Sequence, residues 1–136
     1  MKTRLMILGI FLLAGFALTG CSGASNQDVQ AFLGIMEADE YVFEQRNQEA
    51  MAYYEENMIN VKYDLDVKVE DYYIGYVNNT ERWAEVIVLA NEAQATGFQT
   101  ELNAEAVEGR LVLRDGSIVL ITFSAATISL FNTGKN

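Results

Sequence analysis

From Asp28 to about Met58 the apolar residues Val29, Phe32, Leu33, Met36, Phe43, Ala50, Met51, Tyr54 and Met58 recur at three- and four-residue spacing. They form one stripe, with Glu37, Asp39, Glu44, Glu49, Glu55 and Glu56 mostly outside it, which predicts an amphipathic helix. Ser25 is placed to cap its start, with Asp28 meeting the positive helix end. The stripe is weakest at Asp39-Glu40, so one helix and a bent pair are both open. Glu55-Glu56 oppose the negative end of the helix dipole and place its end near Asn57 or Asn60.

The period then changes to two. Val61, Tyr63, Leu65, Val67 and Val69 alternate with Lys62, Asp64, Asp66, Lys68 and Glu70, which predicts a strand with one buried and one wet face. The alternation slips at Asp71-Tyr72-Tyr73, as a β-bulge would make it slip, and Gly75 suits the same bend. Asn78-Asn79 tolerates left-handed dihedrals and predicts a hairpin into a strand over Trp83 to Ala90. Ala84, Val86, Ile87, Val88 and Leu89 suit both faces of that strand and place it centrally. A connection over Gln94 to Gly97 leads to a second alternating run, Phe98 to Ala106. Gly109 marks a bulge before Arg110 to Arg114. Asp115-Gly116 predicts a two-residue turn between Leu111–Leu113 and Ile118–Ile121. The last strand is expected to run on towards Phe131, with Asn132 to Asn136 a polar tail.

Ahead of all this, Lys2 and Arg4 precede an apolar run of 14 residues, Leu5 to Leu18. Fourteen helical residues rise about 21 Å, short of a hydrocarbon core of about 30 Å. Leu18-Thr19-Gly20-Cys21 closes the run, and Cys21 is the single cysteine. This stretch resembles the lipobox of bacterial lipoprotein precursors; a plain secretory signal and a retained membrane helix are the alternatives. The resemblance implies a signal peptide over 1–20, and a lipidated, palmitate-bearing Cys21 with a polar tether over 21–27. A single secreted domain over 28–136 follows. Membrane attachment runs through lipid on Cys21, and two or three chains anchor durably where one is marginal. The expected location is the cell envelope: the outer membrane in a Gram-negative cell, where Ser22 suits that sorting, or the outer face of the cytoplasmic membrane in a Gram-positive one.

Composition narrows the function classes. Removal of residues 1–20 leaves 116 residues carrying seven basic and 19 acidic side chains, a net charge of −12. That acidic surface speaks against nucleic acid and suits solubility beside an anionic membrane, or attraction of a cationic partner. There is no His and no second Cys, which removes the commonest general base, the commonest zinc ligand and any disulfide. Asp64, Asp66, Glu70 and Asp71 lie along a predicted strand, not in a turning loop, and so do not read as calcium ligands. No nucleophile triad or phosphate-binding glycine loop is present. Catalytic, cofactor-binding and metal-binding residues are therefore expected to be none. The candidate ligand or partner contacts are Tyr54, Tyr72, Tyr73, Tyr76 and Trp83, because Tyr and Trp join contact area to a polar handle.

The expected fold class is α+β: an N-terminal helix or bent helix pair packed on a curved antiparallel sheet of about four long strands. This element order is similar to cystatin-like and NTF2-like domains. NTF2-like domains include enzymes and binding modules, so the fold leaves function open. Two functions follow. One is a lipid-anchored, non-enzymatic module that binds a peptide, small ligand or envelope protein, with immunity to a cationic peptide as one form. The alternative is an NTF2-like hydrolase or isomerase using a carboxylate base and a tyrosine. A pocket holding a carboxylate of raised pKa beside a tyrosine hydroxyl would favour the enzyme. A filled core with aromatics only on the surface would favour binding.

Overall fold

A computed structural model describes residues 26–133. The expected signal peptide over 1–20, Cys21, the expected tether up to Ser25 and residues 134–136 lie outside the described residues, while Asn26 and Gln27, expected in the tether, begin the first helix. The order is α1 (Asn26–Glu37), β1 (Tyr41–Gln45), α2 (Gln48–Tyr53), a π-helical stretch (Tyr54–Asn60) and α3 (Val61–Tyr63), followed by β2 (Val69–Val77) and β3 (Trp83–Leu89). Then come α4 (Glu92–Ala104), β4 (Leu111–Asp115), β5 (Ile118–Thr122) and α5 (Ala125–Thr133). The fold is α+β, with an open, wholly antiparallel sheet of five strands in the order β1-β2-β3-β5-β4. The chain leaves β3 through α4 and returns by the β4–β5 hairpin, which puts β3 at the centre.

Both faces of the sheet are covered, which corrects the expectation of one wet face. On one side α1 and α5 pack together, with Phe32 and Phe131 stacked at 4.5 Å, over Tyr73, Val77, Ala84, Val86, Val88 and Leu120. On the other, the helix over residues 48–63 and α4 bury Ile59, Ala95, Phe98 and Leu102 against Tyr72, Ile87, Leu89, Val119 and Ile121. The middle strands are therefore apolar on both faces, as the run Val86–Leu89 requires.

The expected N-terminal helix is three elements. It stops at Glu37, Glu40 turns with φ 70°, and Tyr41–Gln45 pairs with Tyr73–Val77 as an edge strand. The Phe43 ring lies over Gly75 in that register, where any Cβ would run into it. A second helix starts at Asn47, whose side chain accepts from the Ala50 amide at 2.9 Å, an N-cap. It runs past the expected end to Tyr63, and Asp64, at φ 54°, ends it in the left-handed conformation.

The strand expected over Val61 to Val69 is thus helix at its start and loop in its middle. The inward–outward alternation from Tyr63 to Glu70 is real, but the loop is stitched chiefly to the helix, with one bond beside the sheet, from the Ala90 amide to the Lys68 carbonyl at 3.0 Å. Asn60 exchanges two hydrogen bonds with the Val67 backbone, at 2.9 and 3.1 Å, and Glu55 Oε2 accepts from the Val69 amide at 2.8 Å. The slip at Asp71 is a register shift between Val69 and Asp71. Asn79, at φ 58°, sits in the β2–β3 hairpin. Phe98 to Ala106, expected as a strand, belongs mainly to α4: Asn91 caps it through the Gln94 amide at 2.9 Å, and Ala95, Phe98 and Leu102 fall on one buried helical face. The final strand stops at Thr122, and residues 125–133 are helical.

The β4–β5 turn is displaced by one residue from expectation. Asp115 pairs with Ile118, so Gly116 and Ser117 are the central pair, and of these Gly116 alone has positive φ, 58°. That is the type II′ pattern, not type I′. Nothing lies within 4 Å of a Cβ built at Gly116, so Gly116→Val meets backbone strain alone. It is expected to lower the melting temperature through a cost of about 1 kcal/mol or more. An unchanged melting curve would contradict the turn.

Candidate functional site

Glu85 is the single charged residue in the central strand Trp83–Leu89. Strand alternation sends Ala84, Val86 and Val88 to the α1–α5 side and Glu85 to the other, with Ile87 and Leu89. Its register partner on β2 is Ile74, and Tyr72 is the diagonal neighbour. Tyr72 donates its hydroxyl to Glu85 Oε1 at 2.5 Å, and Tyr54 approaches Oε2 at a long 3.4 Å. The two rings lie 4.4 Å apart, tilted by 36°.

Tyr54 opens the π-helical stretch. Its wider turn closes i→i+5 bonds, so residues four and five apart share a face. Tyr54, Met58 and Ile59 are spaced that way: Ile59 is fully buried, while Tyr54 and Met58 border cavities. Ile59 thereby fills the core, while Tyr54 and Met58 leave space beside it.

That space is a cavity of about 600 Å³ lined by Arg46, Tyr53, Tyr54, Tyr72, Ile74 and Glu85 among others. A smaller one of about 200 Å³ shares Tyr54, Met58 and Glu85 with it and is also lined by Trp83 and Phe123. Glu85 thus faces two cavities with mostly apolar walls. Burial pushes its carboxyl above its ordinary value, while the hydrogen bonds from Tyr72 and Tyr54 pull the other way. Burial first, then the neighbouring carboxylate, pushes both tyrosine hydroxyls far up, so they are donors at any physiological pH. Among the described residues no Lys or Arg forms an ion pair with Glu85. Each carboxylate oxygen keeps accepting capacity beyond its tyrosine.

The five aromatic candidates are divided by the fold. Tyr54 and Tyr72 meet at Glu85. Trp83 borders the smaller cavity against Phe123, ring centres 5.9 Å apart. Tyr76 is the register partner of Trp83 but is 42% exposed and lines neither cavity. Tyr73 points to the opposite face, into the α1–α5 core, and donates to Asp71 Oδ2 at 2.9 Å. Cys21 lies outside the described residues. Sequence reasoning missed Glu85, Arg46 and Tyr53. For Glu85 a signal existed, a lone carboxylate in a strand otherwise read as apolar on both faces. Among the described residues no group of three or more His, Cys, Asp or Glu is placed to hold a metal ion, and no helix is long and apolar enough to cross a membrane.

No protein-family model, curated protein or solved structure matches this chain. The site's geometry and chemistry therefore carry the functional reading.

Proposed function

We propose that the chain is a lipid-anchored envelope protein whose domain is a binding module, taking the cationic group of a peptide or small ligand onto Glu85. One observation carries the binding half. A carboxylate withdrawn from water faces a cavity of about 600 Å³ and has no counter-charge of its own among the described residues. Leaving such a charge unpaired is costly, and a cation arriving with its own apolar body relieves the cost. Tyr53, Tyr54 and Tyr72 supply aromatic wall for that body. The acidic balance of the chain favours encounter with a cation.

The test is titration of 2-phenylethylammonium, followed by calorimetry. Wild type is expected to bind it and Glu85→Gln to lose it, the fold being checked by circular dichroism. Equal binding to both proteins would sink the reading. The anchoring half rests on Leu18-Thr19-Gly20-Cys21. Cys21→Ser is expected to abolish palmitate labelling and to block processing or release the domain. Normal labelling and membrane partition of that variant would overturn it.

The hydrolase or isomerase reading has an observation of its own: a carboxylate of raised pKa beside two tyrosine hydroxyls, the pairing that acid–base chemistry needs. Binding is preferred because both hydroxyls point at Glu85, which leaves neither aimed at a substrate oxyanion. Kinship with cystatin-like or NTF2-like domains is supported by a helix-against-sheet cavity that holds an acid. It departs from that pattern in having helices on both faces and α4 between β3 and β4. Turnover of a bound probe, lost in Glu85→Gln, would move the assignment to the enzyme.

A further inference from the structure

The larger cavity has a second charged wall. Arg46 follows β1, and its backbone amide donates to the Tyr72 carbonyl at 2.8 Å. It thus continues the alternation of Val42 and Glu44 on the face that carries Glu85. Its Nη1 pairs with Glu44 at 3.1 Å on the exposed side. Its Nε is buried and has no partner among the described residues. The Nε atoms of Arg82 and Arg114 share that state, but of the three Arg46 alone lines the cavity. A buried donor left unpaired costs free energy unless something outside the fold satisfies it. The Arg46 charge also acts on the Tyr72 hydroxyl, opposing the rise that burial imposes.

The cavity is therefore bipolar: a carboxylate without a cation stands on β3, and at the end of β1 a guanidinium whose Nη1 holds Glu44 keeps its Nε unpartnered, with β2 between them. Two inter-strand spacings of about 4.8 Å separate β1 from β3. A single amino acid holds its two charges closer than that, and its bulk falls short of a cavity of about 600 Å³. We infer that the cavity takes a short zwitterionic peptide, its N-terminal ammonium on Glu85 and its C-terminal carboxylate on Arg46. The apolar side chains lie against Tyr53, Tyr54 and Ile74. This rests on the reading of Glu85 as the counter-charge of a cation, and it adds an anion subsite and a ligand length.

The experiment titrates the full-length protein in detergent micelles with L-phenylalanyl-L-alanine, its C-terminal amide and its N-acetyl derivative. The free dipeptide is expected to bind at least about tenfold more tightly than the amide, and the N-acetyl form not to bind. Arg46→Gln is expected to bring the dipeptide down to the amide's affinity, its fold being checked by circular dichroism. Equal affinities for dipeptide and amide, with Arg46→Gln altering neither, would overturn the anion subsite and leave the Glu85 reading standing. Binding of the N-acetyl form in preference to the amide, or of none of the three, would overturn both.

Discussion

Glu85 and Glu105 both accept a hydrogen bond from a tyrosine hydroxyl, at 2.5 Å from Tyr72 and 2.7 Å from Tyr63, yet their acidities move in opposite directions. Glu105 is held down to about 2 by hydrogen bonds from Tyr63, Lys62 and Arg110. Glu85 is pushed up by burial, which its tyrosines only partly offset. The tyrosine is common to both, so the hydroxyl does not decide the outcome. What differs is water and a cation: Glu105 has Lys62 at 2.9 Å and Arg110 at 3.0 Å, whereas Glu85 has neither. The fold gives the better-hydrated carboxylate its cations and leaves the one more penalised by burial without any, which fits a site that waits for a ligand's charge.

Giving Glu85 an internal cation should make the two carboxylates alike. Ile74 is its direct register partner on β2, so Ile74→Lys places an ammonium within reach of the carboxylate. That variant is expected to fill the site from within and to weaken 2-phenylethylammonium binding by about a hundredfold. The Glu85 carboxyl should drop below its wild-type value, read by carboxyl-carbon NMR. Unchanged affinity would mean that the probe's cation does not rest on Glu85.

Removing one hydroxyl at each carboxylate sharpens the contrast. Tyr72→Phe deletes a bond to a partly buried charge and is expected to cost about 1.5–3 kcal/mol, measured by urea unfolding. Tyr63→Phe deletes the same kind of bond at a solvated carboxylate that keeps two cations, so its loss should be clearly smaller. Equal losses would show that burial does not separate the sites.

The sequence made the middle of the sheet legible because several local signals agree there. The slip at Asp71, the left-handed Asn79 and the doubly apolar Val86–Leu89 each have one physical reading. β1 was hidden because Phe43 falls on the helical stripe that runs from Val29 to Met58. The turn at Glu40, a residue with no special liking for positive φ, does not announce a break. Val61–Tyr63 and Phe98–Ala104 alternate in period two while also meeting helical spacing, and their caps at Asn47 and Asn91 arbitrate. At the site, aromatic content pointed to Tyr54 and Tyr72. Only the register separates them from Tyr73, one residue away and on the opposite face. Arg46 could not be placed without β1.

Acid titration gives the subtlest contrast, through the sign of two pH profiles. The folded-state pKa of Glu85 lies above its unfolded value, so ionising it costs stability. The cost begins as pH rises through the ordinary carboxylate range of about 4.3 and is complete above the raised folded value. Glu85→Gln carries no such cost. Its melting temperature, relative to wild type, is expected to rise with pH across that window and then to level off. The folded-state pKa of Glu105 is lowered to about 2, so its ionisation adds stability. That contribution is fully present above the ordinary carboxylate value and is lost as pH falls towards about 2. Glu105→Gln should therefore be the less stable protein at neutral pH and converge on wild type in acid. Melting curves of the three proteins between about pH 2.5 and 8 measure both. Profiles of the same sign would mean that Glu85 is satisfied within the fold, which would remove the reason for assigning it a ligand's cation.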